Sequence, residues 1–469
     1  MDVYNFRFAE QYNGFWKIKG SRGKSIYGIL SIRDGNITLE LVDQNLPTEQ
    51  NPYSFVNEIR GYAYFKESEQ KKNCYHFILK DIECRSYSVF GDRMVKTIYD
   101  VSYLYVSDRK NFKTNRIRSC CIRNGLMESW VSNITLNSCS FDDTKDIRFG
   151  YKQSEPLNLY YSTFERIYLY FSYDYNLPDK NGFRLANKTF LNVEFKKVNH
   201  FVDSLNTLSS VHWFFSLIWN NSASPDYFCF RTRDGQFIFK ESNKHSFRFT
   251  PNDTLIRNNL SDFPEGIFSV LFEKWFLSLK SNYQPIESFF EVVYNDYMNP
   301  SSKIKNLLTV IDGLIPNEKA EKVEVAKGCS ALLNKVSMHI NNKEKKLLKS
   351  LMFKAEPFTL KEKIDKALGD LSSYVELKIE EGFSIKVVNT RNVLTHPHKR
   401  TNNVYSKEQY RDLTFCLESL IRAFLLLQIN MPSDIARKTV GAITSPMMTR
   451  DSDIDVRCLK EERRCGTEQ

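Results

Sequence analysis

The tripeptide Asp262-Phe263-Pro264 separates two parts of the chain that differ in their hydrophobic pattern. Before it, apolar and polar residues alternate in short runs, as they do in strands with one buried face. After it, apolar residues recur every three or four positions as far as about Met431, as they do in amphipathic helices. An aspartate followed closely by proline is typical of a helix start, so we place a domain boundary here. The pattern predicts an α+β protein, with a β-rich N-terminal region followed by an all-α helical bundle.

The β-rich region is predicted from several short runs of alternating residues. The clearest is a hairpin, in which residues 26–32 and 37–41 are joined by Arg33-Asp34-Gly35-Asn36. Similar strands are predicted at residues 59–65, 75–79, 97–106 and 117–122. We assign residues 1–198 to one mostly antiparallel domain. A helix and two further strands are expected to close this region, at residues 202–219, 227–231 and 236–240, within a segment that spans 199–262.

The helical part is assigned to residues 263–432. Helices are predicted at residues 265–279, 286–297, 304–314, 407–429 and, as a lysine-rich pair, 323–351. The apolar stripes of the segments at 304–314 and 407–429 are expected to form core or dimer faces. Beyond Pro432 the sequence has little apolar periodicity, so residues 433–469 are expected to form a charged, mobile tail.

Length and composition limit the classes of protein that fit. A chain of 469 residues has room for two or three domains. Its formal charge of +10 is compatible with a polyanionic partner without requiring one. We expect a cytoplasmic protein without membrane contact, because the sequence has neither a long apolar run nor a secretory pattern at its start. The ten cysteines lack C-x-x-C spacing and are expected to be reduced thiols.

The stretch Arg391-Asn392-Val393-Leu394-Thr395-His396 contains residue types that can cleave RNA without a metal. A histidine exchanges protons near neutral pH, and a permanently charged arginine can hold a phosphate. In a helix Asn392 and His396 share one face, and Arg391 is displaced around it. A single histidine more often caps a helix or lies buried against a carbonyl, so the spacing alone does not establish a site.

Residues around the stretch add to this interpretation. Lys399 and Arg400 follow it closely and are candidate contacts for RNA phosphates. The sequence has no pattern of metal ligands such as His-Glu-x-x-His, and no phosphate-binding glycine loop. We therefore predict neither a metal nor a cofactor.

With helical segments on both sides, residues 389–396 resemble the HEPN superfamily, and the resemblance extends over about residues 263–431. Residues 307–314 resemble an early HEPN helix that bears an acidic residue, here Asp312 in place of the commoner glutamate. The pattern Gly28-Ile29-Leu30 to Leu39-Glu40-Leu41, followed by Ile59-Arg60-Gly61, resembles the β-rich region of ApeA-type antiphage proteins. Pro397 departs from the glycine or small residue of many relatives, and it is expected to end the helix at His396.

The resemblance implies a metal-independent endoribonuclease that acts in antiphage defence by abortive infection. Arg391 and His396 would be catalytic, Asn392 would orient the phosphate or the histidine, and Asp312 would support the site. It also implies a homodimer or a higher homo-oligomer that acts on an RNA substrate. An unrestrained ribonuclease is toxic to its host, so residues 14–240 are expected to recognise a phage-derived trigger and to restrain the nuclease.

Two alternatives remain open. The helical part can be a non-catalytic HEPN module that binds a nucleotide, RNA or a protein. The protein can also be a carbohydrate- or protein-binding adaptor in which the aromatic residues between 159 and 173 carry the function. We favour core strands for that aromatic segment, because aromatic residues prefer half-buried sheet positions.

Overall fold

The computed structural model describes residues 8–19, 25–33, 35–43, 56–68, 71–90, 94–131, 140–141, 147–148, 155–179, 182–221, 225, 227–242, 256–295, 297–316, 335–336, 340–345, 358–396, 398, 401 and 403–446. The chain forms two compact units. One comprises residues 1–273 and 294–297, and the other comprises residues 274–293 and 298–469. The first unit is mostly sheet and the second mostly helix, so the predicted α+β class is confirmed.

Six strands of the first unit form a closed antiparallel sheet. They are β1 (Gln11–Ile18), β2 (Ile26–Arg33), β3 (Asn36–Asp43), β4 (Val56–Ser68), β5 (Lys71–Phe90) and β6 (Met94–Ser107). Their order is β6-β3-β2-β1-β4-β5, and β5 also pairs with β6, so these strands close on themselves. The predicted hairpin is confirmed, since β2 and β3 pair from Gly28 with Leu41 to Arg33 with Asn36. Gly35 in its turn has φ of 76°, a left-handed conformation that favours glycine.

Trp16 fills the centre of this closed sheet. Its side chain is fully buried, and its indole N–H donates to the carbonyl of Gly28 at 3.1 Å. Gly61 lies against the ring, where a Cβ atom at position 61 would be 2.2 Å from Trp16. The close approach of the β4 backbone to the indole therefore requires glycine at position 61.

The sheet continues beyond β6 through six more strands. They are β7 (Ile117–Arg123), β10 (Leu157–Tyr161), β11 (Glu165–Asp179), β12 (Gly182–Asn199), β13 (Tyr227–Thr232) and β14 (Gln236–Glu241), in the order β10-β11-β12-β7-β13-β14-β6. Two short strands, β8 (Ser140–Phe141) and β9 (Ile147–Arg148), pair with each other separately. Helix α1 (Gly125–Val131) follows β7, and helix α2 (Phe201–Trp219) contacts β7 and β12.

The aromatic segment at residues 159–173 is part of the core, as expected. Leu159, Ile167, Leu169 and Phe171 are buried, because alternate positions of β10 and β11 face the interior. Tyr161 at the end of β10 and Phe164 in the turn that follows are the exceptions, with 67 % and 72 % of their surfaces exposed. The segment therefore contributes mainly to packing.

The second unit is built from helices. They are α3 (Ile267–Tyr294), whose residues 274–293 lie in this unit, α4 (Pro300–Leu314), α5 (Leu360–Leu371), α6 (Phe383–Thr395), α7 (Tyr410–Gln428) and α8 (Ser433–Val440). Two short strands, β15 (Leu377–Lys378) and β16 (Ile443–Thr444), pair in parallel. Helix α5 was not predicted, although Thr359 and Glu362 form a capping box at its start. The predicted lysine-rich pair at 323–351 lies largely outside the described residues.

The start of the helical part differs from the prediction. Asn259 and Asp262 form a capping box around a short 3-10 helix, Leu260–Asp262, and α3 begins only at Ile267. The two helices predicted at 265–279 and 286–297 are confirmed as the two parts of α3, which meet at a kink at Asn282, where φ is −131° and ψ is 34°. Pro285 has no N–H to continue the helical hydrogen bonds, so the distortion just before it has a local cause.

The apolar stripes of α4 and α7 form core rather than an exposed face. Helix α4 packs against α7, and Leu307, Ile311, Leu417 and Ile421 are buried. Lys303 Nζ lies 3.9 Å from a carboxylate oxygen of Glu418 beside this contact. A dimer face on α7 would therefore have to use the side of the helix that does not pack against α4.

The charged tail was expected to begin at residue 433, but the chain stays folded for longer. Helix α8 buries Ile435, Ala436 and Val440, and Arg437 Nη2 donates to the carbonyl of Ser373 at 2.9 Å. Its apolar residues are too few to produce a periodic pattern in the sequence, yet they suffice to dock a short helix. Residues 447–469 lie outside the described residues.

The six cysteines in the described parts of the chain are free thiols, as predicted, and four of them are buried. Among the helices that the structure describes, none is both long and apolar enough to span a membrane.

Candidate active site

The stretch from Arg391 to His396 lies at the carboxyl end of helix α6. The helix begins after Gly382, whose φ of 75° suits glycine, and ends at Thr395. His396 leaves helical geometry, with φ of −131° and ψ of 81°, while its N–H donates to the carbonyl of Asn392 at 2.8 Å. The expectation that the helix ends at His396 is confirmed. The histidine is therefore the first residue beyond a regular helix.

The side chains of this stretch face solvent to different degrees. Arg391 and Asn392 are partly buried, whereas His396 and His398 are exposed. Within the described parts of the chain, no side-chain hydrogen bond or ion pair is recorded for Arg391, Asn392 or His396. The alternative that His396 caps the helix is confirmed by its position at the helix end, whereas the alternative that it is buried is wrong. An exposed imidazole and a partly buried guanidinium, five residues apart, are groups of the kind that contact a ligand phosphate.

A buried network of charged and polar side chains includes one residue of the motif helix α6. Lys386, on α6, has its Nζ 3.3 and 3.4 Å from the two carboxylate oxygens of Glu380. The same Nζ lies 4.2 Å from the centre of the Tyr405 ring, and the Tyr405 hydroxyl donates to Glu380. Lys386 is 8 % exposed and Tyr405 is 1 % exposed. The ion pair of Lys386 and Glu380 is therefore largely removed from water, and Tyr405 contacts both of its members.

The network also fixes the segment that follows the motif. The N–H of Tyr405 donates to Thr390 Oγ1 at 2.9 Å, and Thr390 Oγ1 donates to the carbonyl of Lys386 at 2.8 Å. Thr390 immediately precedes Arg391 and is fully buried. The chain leaves α6 at His396 and is tied to the same helix again at Tyr405, so both ends of this segment are fixed.

Two ionisable groups near the network are held neutral. Burial raises the pKa of the Tyr405 hydroxyl, and the hydrogen bond to Glu380 and the charge of that carboxylate raise it further. Burial and the charge of Glu380 raise the pKa of the Cys416 thiol to about 12. Since a nucleophilic cysteine needs a lowered pKa, Cys416 is not a competing nucleophile.

Asp312 is engaged by a buried lysine. Lys363 Nζ lies 2.6 Å from Asp312 Oδ1 and 2.5 Å from the Asp312 carbonyl oxygen. The Lys363 side chain is fully buried, whereas that of Asp312 is 55 % exposed. This ion pair joins α4 to α5 and gives Asp312 a structural partner. The supporting role of Asp312 in the active site stays a prediction.

The structure describes only some of the other residues that were predicted to bind a ligand. Lys399 and Arg400, the expected phosphate contacts, lie outside the described residues. Among the residues that the structure describes, no three His, Cys, Asp or Glu side chains are grouped in a way that suits a metal ion.

Glu380, Lys386 and Tyr405 were not predicted as part of the site. They are six and nineteen residues apart, so no short spacing connects them. Lys363 left a weak signal, because it lies four residues before Ala367 and eight before Leu371 on the buried face of α5. A lysine at an apolar-face position indicates a buried partner for its charge.

The two units match two family models. The family model for the Apea-like HEPN domain matches residues 283–435, which include the motif helix and its supporting network. The model named ApeA N-terminal domain 1 matches residues 11–265, more than half of the chain. The chain therefore belongs to the ApeA-like HEPN antiphage proteins, and the resemblance found in the sequence is confirmed. No curated protein and no solved structure matches it significantly.

Proposed function

We propose that this protein is a metal-independent endoribonuclease that defends a host cell against phage by abortive infection. The observation that carries the proposal is the position of the motif in an Apea-like HEPN domain. His396 is exposed directly beyond the end of a helix, and the partly buried Arg391 lies one and a half turns before it. General acid–base catalysis needs a group that can reach a proton of the substrate, and the exposure of His396 at the end of a helix supports that role.

In the proposed reaction the substrate supplies the nucleophile. The 2′-oxygen of one ribose forms a bond to the adjacent phosphorus, and the bond from phosphorus to the 5′-oxygen of the next nucleotide breaks. His396 takes the proton of the 2′-hydroxyl or gives one to the departing 5′-oxygen. Arg391 stabilises the charge that develops on the phosphoryl oxygens, and Asn392 orients the phosphate. The products carry a 2′,3′-cyclic phosphate and a 5′-hydroxyl, and DNA is inert because it lacks the nucleophile.

Each chain offers one histidine in this motif, whereas cleavage benefits from both an acid and a base. We propose that two chains pair so that each supplies one His396, in a homodimer or a higher homo-oligomer. Exposed apolar side chains on the motif helix α6 and on α7, the next α-helix in the chain, support this pairing. Ile385 on α6 is 44 % exposed and Phe415 on α7 is 55 % exposed.

The β-rich unit is proposed to control the nuclease. Residues 14–240 recognise a phage-derived trigger and otherwise restrain cleavage, in the cytoplasm of the host. The match of residues 11–265 to an N-terminal domain found in the ApeA family supports a dedicated role for this unit.

The first test is cleavage of total RNA in EDTA by the purified protein, beside His396→Ala and His398→Ala. His398 is a matched control, because it is also exposed and lies two residues away. We expect 2′,3′-cyclic ends with the wild type and His398→Ala. His396→Ala is expected to be at least about 100-fold slower, since acid–base catalysis contributes about 10²–10⁴-fold.

If the purified protein is inactive by itself, the same three proteins are assayed with lysate of phage-infected cells to supply the trigger. Equal cleavage by wild type and His396→Ala would exclude the assigned role of His396. RNA that is bound but left intact under both conditions would favour the non-catalytic HEPN module.

A further inference from the structure

A row of aromatic rings crosses the outer face of the closed sheet. Tyr27 on β2 pairs with Phe15 on β1, Phe15 pairs with Tyr62 on β4, and Tyr62 pairs with His76 on β5. The successive ring centres are 5.9, 5.7 and 6.3 Å apart. Tyr64 adds a fifth ring, 6.1 Å from that of Tyr62.

Three of these rings are exposed and the other two, Tyr62 and His76, are half-buried, whereas aromatic rings elsewhere on the same closed sheet are covered. Tyr27 is 52 % exposed, Phe15 is 41 % exposed and Tyr64 is 61 % exposed. In contrast, Tyr105 on β6 packs against Phe201 of α2 and is buried. A contiguous row of exposed and half-buried rings is uncommon on a protein surface and indicates a ligand that stacks on it.

A cluster of cations lies beside the aromatic row on the same face. Lys17 and Arg60 are direct neighbours across β1 and β4, each two residues from a ring of the row. Arg60 Nε lies 2.8 Å from Glu58, and Lys19 Nζ lies 3.6 Å from the same carboxylate. Lys80 on β5 is paired with Glu58 across the strands. In this described part of the face, three cations therefore surround the carboxylate of Glu58, and Lys17 adds a fourth positive charge beside Arg60.

The electrostatic field at Glu58 agrees with this charge excess. Burial alone would raise its pKa, but the hydrogen bond from Arg60 and the charges of Arg60, Lys19 and Lys80 lower it. Lys17 and Arg60 lie directly opposite each other on neighbouring strands, and like charges in such positions are destabilising. A bound anion would relieve this repulsion.

We propose that this face binds a single-stranded nucleic acid. Bases stack on Tyr27, Phe15, Tyr62 and Tyr64, and phosphates contact Lys17 and Arg60. Both features are needed together, because every base has a stacking face and every nucleotide has a negative charge. A carbohydrate would use the rings but not the cations. The contacts do not involve the 2′-hydroxyl, so RNA and DNA both fit, and the inference does not depend on the proposed nuclease.

The test uses the full-length His396→Ala protein and labelled single strands of uridine or thymidine of about twelve nucleotides. Binding is measured by fluorescence anisotropy. Removing two stacking rings with Phe15→Leu and Tyr62→Leu is expected to weaken binding at least tenfold while keeping apolar surface. Phe164→Leu is the matched control, since Phe164 is 72 % exposed on the same unit but outside the row. It is expected to bind like the parent protein.

Charge contacts are tested separately with Lys17→Gln and Arg60→Gln in one protein. We expect weaker binding and a decrease of about 1.4 in the slope of log affinity against log salt, because each phosphate contact to a single strand contributes about 0.7. Circular dichroism of each variant confirms that the sheet is folded.

Three results would overturn the proposal. They are equal binding of single and double strands, unchanged binding by folded Phe15→Leu/Tyr62→Leu protein, and no binding of either single strand by the parent protein. In the last case an acidic protein surface becomes the ligand to test on this face. Binding of the uridine strand alone would narrow the ligand to RNA, and equal binding of both strands would support single-stranded nucleic acid in general.

Discussion

Single residues decide how firmly the motif helix is held. Lys386 and Glu380 form a mostly buried ion pair, with 10 % and 16 % of the side chains exposed. Lys378 and Glu376 form a similar pair at 3.1 Å, but their side chains are 54 % and 60 % exposed. Removing one partner of a buried pair leaves an uncompensated charge, whereas an exposed charge stays hydrated.

Lys386→Met is therefore expected to lower the free energy of unfolding by about 3 kcal/mol, because the Glu380 charge loses its buried counter-ion. Lys378→Met, the matched control, is expected to cost less than about 1 kcal/mol. Urea unfolding followed by circular dichroism measures both. Similar small losses in the two variants would show that the buried network contributes little to holding α6.

At the scale of elements, the closed sheet depends on the approach of one strand to a buried ring. A Cβ atom at Gly61 of β4 would lie 2.2 Å from Trp16 on the neighbouring strand β1. Trp16 is fully buried among the other core side chains, so the ring has no open space into which to move. Added volume in a well-packed core forces strain into the backbone or neighbouring side chains.

Gly61→Ala is expected to destabilise the protein by about 1–3 kcal/mol because of this overpacking. Gly125→Ala is the control, since a Cβ atom at position 125 meets nothing within 4 Å. Thermal unfolding of the two variants gives the comparison. A melting temperature of Gly61→Ala equal to that of Gly125→Ala would mean that the sheet accommodates a Cβ atom beside Trp16 without a loss of stability.

The order of elements was largely accessible from the sequence, whereas their exact limits were not. The hairpin at residues 26–41 was predicted because alternation and its Gly35 turn are local features. The predicted break between 279 and 286 is present as the kink at Asn282, because Pro285 interrupts the helical hydrogen bonds locally. The outer limits differ from the predicted 265 and 297, since α3 begins at Ile267 and ends at Tyr294. The ends of a helix depend on the partners that its free N–H and carbonyl groups find, and a pattern of apolar residues does not reveal those partners.

At the scale of the whole molecule, the proposed pairing of two chains gives a quantitative expectation. If each catalytic centre needs His396 from both chains, a mixed dimer with one His396→Ala chain is inactive. Random pairing of equal amounts of wild-type and variant chains leaves about a quarter of the dimers fully wild type.

Coexpression of wild type and His396→Ala in equal amounts is therefore expected to give about a quarter of the RNA cleavage per total protein. Independent sites would give about half, so the two outcomes are distinguishable. Cleavage is measured on the mixture and on wild type at the same total concentration. Size-exclusion chromatography with light scattering reports whether mixed assemblies form, and a purely monomeric protein would contradict the pairing.

The sequence by itself determined the strand and helix classes, the motif from Arg391 to His396 and the helix end at His396. These features depend on residues within a few positions of one another, where alternation, helical spacing and proline act directly. Only the tertiary structure decided that β5 pairs with both β4 and β6, that Glu380 and Tyr405 surround Lys386, and that Phe15 and Tyr62 lie in one row of aromatic rings. Strand order and the partners of buried charges depend on contacts between distant segments, and burial gives those contacts their energy.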